Sequence, residues 1–568
     1  MIYQERKAKL LLYTREVLPA EYPDGLARSI HFAYSRDGKV YCALHQNYGI
    51  LFAPGTISAE DTIEPKGVRN PRVSVMADGR YAITAERVNE DGSVDNTCSG
   101  QILLWITKDF MEFEQARLVD MESLRGLVAG NEEGTEPGAD VVLPSGAIPG
   151  CVIEISANLC DRLAQRWGRL HNTAVRVPEV IRAGSTQELQ EVEATAVYSD
   201  GSTAQKRVRW NTDGVDFSRA GTYEITGTVL NEEYQFPLAR GYGDPVIFPW
   251  KGRYYFIATN DNTDDVGIYV RVSDDVAGLF HAPEHLILGR DEEGNFWQTF
   301  WAPEFHVIGD ELYILFAVSN QVWGPQCHLI KLKKGGDILN PGDWERPVRI
   351  CRQDGNFLST DGITLDMTYL KAGGRSYVIW SYRRHIGTPA DTGSMLYIAT
   401  IDEQTPWKLT SEPVLLTRPL LGWENVSGTI NNEGPYSFVK DGKVYVTYSG
   451  GAANSYTYVL GLLTADGKDD LLQLSAWKKS IVPVLSFYSV NGEYGPGHNS
   501  FFEDACGNLM IAYHAEDAID STLRSDGIRR VHFAIDGRPV FDLSKERDLD
   551  PGLRQVKTAL VVDRSILV

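Results

Sequence analysis

The sequence predicts an all-β protein whose larger part is a five-bladed β-propeller. Two observations carry that reading. A strand–turn–strand unit recurs five times between residues 244 and 515, and each copy opens on an acidic residue or a histidine. The copies read Asp244-PVIFPWKGRYYFIAT, Glu304-FHVIGDELYILFA, Asp366-MTYLKAGGRSYVIWS, Glu433-GPYSFVKDGKVYVTYS and His498-NSFFEDACGNLMIAYH. Their leading residues stand 60 to 67 positions apart, the interval of radially repeated small sheets. Roughly four strands of 5–6 residues with their turns fill such an interval. Closure around an axis would bring equivalent positions to one end of a central channel, gathering four carboxylates and one histidine in one pocket.

The remaining elements follow in order. At 568 residues the chain exceeds what a single core holds. Residues 1–125 contain two further hairpins, SIHFAYSRDGKVYCALH and NPRVSVMADGRYAITAERV, whose RDGK and ADGR turns suit short β-connections. The second opens on Asn70, where the later copies place a carboxylate. The segment reads as a propeller-like β-module without the acids, or equally as a separate small β-sandwich. Residues 126–172 read as a linker, rich in Gly, Pro and acid up to 150. A short helix is expected within it, after residue 150, because Leu159, Leu163 and Trp167 recur at helical spacing. Residues 173–236 change character: VEATAVYSDGSTAQKRVRWNTDGVDFSRAGTYEITGTVL alternates with period two around a Ser-Asp-Gly turn. That stretch resembles bacterial immunoglobulin-like domains, which are usually spacers. Residues 237–568 hold the repeat array and a tail, DPGLRQVKTALVVDRSILV, whose alternating apolar residues suit a last strand closing the array.

Composition narrows the function. Hydrophobic residues at 43% and charged residues at 23% describe a folded chain. A net charge of −21 excludes nucleic acid and anionic membranes as partners, since both require basic patches. Twelve Trp and 27 Tyr suit sheet packing and sugar stacking alike. The seven Cys are scattered, odd in number and without a CxxC pair, which speaks against a disulfide framework and a zinc ribbon. The apolar run Leu10–Tyr13 is too short for a secretory core or a membrane span. A reducing cytoplasm is the expected compartment, with secretion the alternative if a leader has been trimmed.

Taken singly, the leading residues are commonplace. Asp244 precedes a proline that sets an extended entry to its strand. Glu304 follows Trp301-Ala-Pro, and Glu433 precedes Gly-Pro, as ordinary loop acids do. Asp366 stands inside the apolar run ITLDMTYL, where an unpaired carboxylate is costly. His498 is flanked by glycines that permit close backbone approach. Together, confined carboxylates push their pKa values apart, so that one serves as acid while another stays ionised. Two such carboxylates are what glycosidic hydrolysis needs.

The series YGDPVIF, FWAPEF, GITLDMTYL, NNEGPYSF and GPGHNSFF resembles glycoside hydrolase family 43, whose catalytic domain is a five-bladed β-propeller. The resemblance implies Asp244 as general base, Glu433 as general acid and Asp366 as the carboxylate that orients the acid and raises its pKa. It implies inversion of configuration, with base and acid roughly 6.5–9.5 Å apart. His498 matches a histidine that binds a calcium or sodium ion directly or through water; a histidine merely hydrogen-bonded to the acids would read the same. No organic cofactor is implied. Glu304 matches a commonly acidic position outside the triad, and Glu424 in LGWENVSG competes with Glu433 for the acid role. Trp301, Phe300 and Trp323 are candidate sugar-contacting aromatics, with core packing the rival reading for each. The stretch YSGGAANSYTYVLGLLTADGKDDLLQLSAWKKSIVPV looks like members acting on α-L-arabinofuranosides. The expectation is therefore an exo-glycosidase removing terminal arabinofuranosyl units from oligosaccharides derived from arabinan or arabinoxylan. The rivals are a β-xylosidase or bifunctional enzyme, an arabinanase, and a non-catalytic carbohydrate-binding propeller.

Overall fold

A computed structural model describes residues 7–128, 133–231, 234–291, 293–521 and 523–562. Part of the 126–150 linker, positions 129–132, and the last six residues of the tail lie outside the described residues. The chain divides into two compact units. The larger comprises Met1–Gly168, Phe236–Glu503 and Ala512–Gly527; the smaller comprises Arg169–Gln235, Asp504–Ile511 and Ile528–Val568.

The five repeats form five successive antiparallel sheets. Their first strands are Tyr242–Trp250, Gln298–Ile308, Gly362–Ala372, Asn432–Lys440 and Tyr494–Glu503. The first four sheets have four strands each and the fifth has three. Each first strand lies against the first strand of the next sheet, and the fifth lies against that of the first. Burial on both faces explains the near-continuous apolar runs, such as Glu311–Ser319, in which every residue after the glutamate is buried.

Each of the first four opening strands slips register at a matching place, between Gly243 and Val246, Trp301 and Glu304, Leu365 and Thr368, and Glu433 and Tyr436; the second strand also slips between Gln298 and Trp301, at Thr299 (φ 55°). A residue with positive φ sits in every slip: Asp244 at 57°, Ala302 at 44°, Asp366 at 53° and Gly434 at 56°; His498 at 37° holds the matching place in the fifth strand. These are β-bulges, which bend a strand and re-aim its side chains. They also correct the repeat alignment. The equivalent positions are Asp244, Ala302, Asp366, Gly434 and His498, so Glu304 stands two residues after its bulge and Glu433 one before.

The fifth sheet is completed from an unexpected direction. Residues 238–241 run beside its outer strand, with Leu238 N–H on Asp526 O at 2.9 Å, Asp526 N–H on Ala239 O at 3.0 Å and Gly241 N–H on Arg524 O at 2.8 Å. The tail, expected there, goes elsewhere. Its strand Gln555–Val562 lies in the smaller unit, between Val180–Arg182 and Gly221–Val229. Val556, Leu560 and Val562 join Ile181, Trp210 and Ile225 in that unit's core. Alternating apolar residues fit either sheet; these fill the middle of the small one.

Within the larger unit, Lys66–Val75, Tyr81–Asn89, Gln101–Thr107 and Arg117–Asp120 form a further four-stranded sheet, bulged at Asn70 (φ 54°). The expected helix forms over Ala157–Trp167, capped by the Ser156 hydroxyl on Leu159 N–H. The N-terminal residues Tyr22, Tyr48 and Phe52 share one apolar core with Trp423, Val446 and Val459 of the array. Most of the module's apolar residues, among them Leu10, Phe32, Val73, Ile83 and Trp105, meet with Ile153 in a second core.

Candidate active site

The charged groups of the site hang at or beside the bulges. Asp244 and Asp366 occupy the left-handed position itself, which Asp tolerates better than most residues. Each is gripped by a hydroxyl on the returning strand. Thr259, opposite Gly243, donates to Asp244 Oδ2 at 2.5 Å. Ser381, opposite Leu365, donates to Asp366 Oδ2 at 2.9 Å.

Asp244 is buried among cations. Its Oδ1 lies 3.0 Å from His498 Nδ1 and 3.1 Å from Arg524 Nη1. Burial alone would raise its pKa, but the charges of His498 and Arg524 prevail and hold the carboxyl well below the usual range. Arg524 is shared with Asp261. His498 is driven the opposite way: against the effect of burial, Asp244 and Asp366 raise it to about 9, so the imidazolium persists at neutral pH. The backbone N–H of Asp244 donates to His514 Nδ1 at 3.1 Å, which places that ring's proton on Nε2. Burial lowers His514 to about 4 and keeps it neutral.

The acid side is built differently. Asp366 Oδ2 also accepts the Gly434 N–H at 3.0 Å, so one strand's bulge supplies a donor to the carboxylate on another. A Cβ at Gly434 would lie 2.8 Å from His498 Cγ, and its φ is positive; glycine is required for the imidazole to pack there. Burial, with the negative charge of Asp244 added, raises Asp366. Glu433 accepts the Tyr458 hydroxyl at 3.0 Å. Burial first, then the charge of Asp366, pushes Glu433 up to about 7. One cluster thus holds a carboxylate kept ionised and another poised to carry a proton.

The other candidates separate clearly. Glu304 is buried against His306 Nε2 at 2.6 Å, and burial raises its pKa. Glu424 has no exposed surface; it binds Lys479 Nζ at 2.6 Å, Asn432 Nδ2 at 3.0 Å and the Tyr448 hydroxyl at 2.9 Å. It is a structural anchor, and Glu433 alone of the two lies beside Asp366. Phe300 also has no exposed surface, so it packs in the core and offers no face to a sugar. Trp301 is half-buried, its indole N–H on Asp265 Oδ2 at 2.9 Å. Trp323 is half-buried and stacks on His328 at 6.0 Å, with the Arg349 guanidinium 5.0 Å from its ring centre. Gln298 pairs with Ser319, which sets the Trp323 loop at the bulged end of its sheet.

His498 Nδ1 is engaged with Asp244, so only its Nε2 could face a cation directly. Among the described residues no three His, Cys, Asp or Glu side chains converge to hold a metal. Sequence reasoning also passed over Thr259, Ser381, Tyr458, His514 and Arg524. Thr259, Ser381 and His514 had a signal: they end the returning strands of the first, third and fifth copies.

The sequence model of "Glycosyl hydrolases family 43" matches residues 234–539, more than half of the chain, and that of "Bacterial Ig-like domain (group 4)" matches 190–231. An "Extracellular exo-alpha-(1->5)-L-arabinofuranosidase" of Streptomyces avermitilis is 32% identical over 320 residues, 54% of this chain. The match spans 63% of that relative's own length. A protein of the same name from Streptomyces chartreusis is 32% identical over 287 residues, covering 50% of this chain and 82% of the relative. The solved structure of an alpha-L-arabinofuranosidase from Lactobacillus brevis is 29% identical, with a TM-score of 0.47, and the alignment covers 54% of this chain and 96% of that one. The Streptomyces relatives are named extracellular, which overturns the expectation of a cytoplasmic protein. That expectation rested on the short apolar run Leu10–Tyr13 and on unpaired cysteines as the mark of a reducing compartment. All seven are free, but a core this large needs no disulfide in any compartment. On the extent of the family match, the chain belongs to glycosyl hydrolase family 43.

Proposed function

We propose that the chain is an inverting exo-acting α-L-arabinofuranosidase, secreted, with its site at one end of a five-bladed β-propeller. The observation that carries the reading is the gathering of Asp244, Asp366 and Glu433 at adjoining bulges around His498, where the pKa of Asp244 is driven down and that of Glu433 up. Asp244, kept ionised by His498 and Arg524, takes the proton of the attacking water. Glu433, its pKa raised by burial and by Asp366, gives its proton to the departing glycosidic oxygen. Asp366 tunes Glu433 through its charge and is fixed by Ser381 and Gly434. The mutual contact of the five first strands, and the pairing of residues 238–241 with the fifth sheet, support the propeller. The arabinofuranosidase relatives support the sugar.

The test is hydrolysis of nitrophenyl α-L-arabinofuranoside, followed by NMR of the first product. Wild type releases the β-anomer first, and Asp244→Asn loses activity by about a thousandfold. Release of the α-anomer, or near wild-type turnover by Asp244→Asn, refutes the reading. Preference for nitrophenyl β-D-xyloside would move the assignment to a xylosidase on the same machinery.

A further inference from the structure

The N-terminal hairpins lack the acid residues, yet they reach the segment that carries the acid. Thr56–Ile57 and Ile63–Glu64 pair as a small hairpin, and its turn presents Asp61 in a left-handed conformation (φ 65°). Asp61 Oδ1 lies 2.6 Å from Arg418 Nη1, its backbone oxygen 2.8 Å from Arg418 Nη2, and its Oδ2 2.6 Å from Arg384 Nη2. Arg418 is buried and also binds Thr392 O at 3.2 Å. Two further contacts follow along the same segment. Gly55 N–H donates to Leu420 O at 2.6 Å. Glu90 Oε1 accepts the N–H of Ser427, itself held at φ 53°.

Residues 418–432 lead directly into the strand of Glu433. From inside, Glu424 ties Leu421 N–H and the Asn432 side chain to Lys479. From outside, the tie points are Asp61, Gly55 and Glu90. Arg383, next to Arg384, donates to Asn431 Oδ1 at 2.9 Å, two residues before Glu433. A non-glycine residue at positive φ persists only where its surroundings hold it. The one at Ser427 is held by a carboxylate from the N-terminal module.

We propose that the N-terminal module is a positioning element of the active site, in which Asp61 and Glu90 fix the segment 418–432 and thereby set the placement of Glu433 against the leaving group. Both are positioning residues, acting through Arg418, Arg384 and Ser427. The proposal rests on Glu433 being the proton donor. Misplacement of a catalytic group by about 1 Å lowers rate by up to about a hundredfold, and the loss falls on substrates that need protonation.

The experiment uses the full chain and two substrates, phenyl and dinitrophenyl α-L-arabinofuranoside. The phenoxide must be protonated as it leaves; the dinitrophenolate need not be. Asp61→Ala and Glu90→Gln are expected to lower kcat on the phenyl substrate by about tenfold while staying within about twofold of wild type on the dinitrophenyl one. Asp61→Asn, which keeps an acceptor toward Arg418, should fall between. Glu433→Ala serves as control. If it is selective for the phenyl substrate while folded Asp61 and Glu90 variants lose both activities equally, or neither, positioning by the module is overturned alone. If Glu433→Ala shows no selectivity, the acid assignment fails and takes the proposal with it. Should Asp61→Ala not fold, Asp61→Asn and Glu90→Gln decide by the same ratio.

Discussion

Replacing Asp366 by Asn isolates one electrostatic effect. Glu433 rises from its ordinary 4.5 to about 7. At pH 7 that is the difference between roughly one molecule in 300 and roughly half carrying the proton. Burial is the larger cause and the charge of Asp366 the second. A like charge this close shifts a carboxyl by on the order of one pH unit, so removing it should change the protonation equilibrium about tenfold. The substitution is otherwise mild, since the Asn oxygen accepts from Ser381 and Gly434 where Oδ2 did. The pH profile of kcat/KM on nitrophenyl α-L-arabinofuranoside should keep its acid limb, because Asp244 retains His498 and Arg524. Its alkaline limb should move down by about one pH unit, with activity at pH 8 falling about tenfold more than at pH 5. A uniform loss with both limbs in place would refute the electrostatic role.

Three further outcomes follow from the same structure. Because the folded-state pKa of Glu433 lies above its unfolded value, its stabilising contribution is full below about 4.5 and lost as pH rises through about 7. Glu433→Gln should therefore raise Tm at pH 8.5 by a few degrees and change it little at pH 4.5; a shift independent of pH would contradict this. Arg524→Met strands Asp244 and Asp261, so a loss of about 3–5 kcal/mol in urea unfolding is expected, with the acid limb moving upward. In the smaller unit, buried Asp548 binds Lys206 Nζ at 2.7 Å and Arg530 Nη2 at 2.5 Å. Asp548→Ala should open residues 172–229 to limited proteolysis; a wild-type cleavage pattern would show the pair to be dispensable.

What the sequence disclosed and what it hid divide along physical lines. Period-two alternation and polar-Gly turns are local, so the hairpins, the five repeats and the helix over Ala157–Trp167 were legible. The carboxylate cluster was legible because an acid inside an apolar run, as at Asp366, needs a partner. The phase of the repeat was not, since a positive φ leaves no mark when Asp, Ala, Gly and His all occupy it. Charged partners were hidden by distance: Arg524 meets Asp244 across 280 positions. Phe300 failed as a sugar contact because an aromatic beside a bulge looks alike whether it faces the core or the pocket. The tail failed for a related reason: alternation states that one face is buried and is silent about which sheet receives it.

That tail has a consequence for synthesis. The small unit needs the strand Gln555–Val562 at the centre of one sheet, between strands made more than 300 residues earlier. Until the ribosome has delivered the whole array, Trp210, Ile225 and Ile181 wait without the residues that cover them. Domains emerging from the ribosome generally fold in the order they are made, at about 5–20 residues per second. Here an early segment must stay open for a further 15 seconds or more on that scale. Each waiting strand carries one exposed charge, Arg182 in Val180–Arg182, Arg209 in Val208–Trp210 and Glu224 in Gly221–Val229, which disfavours pairing of these edges with other chains.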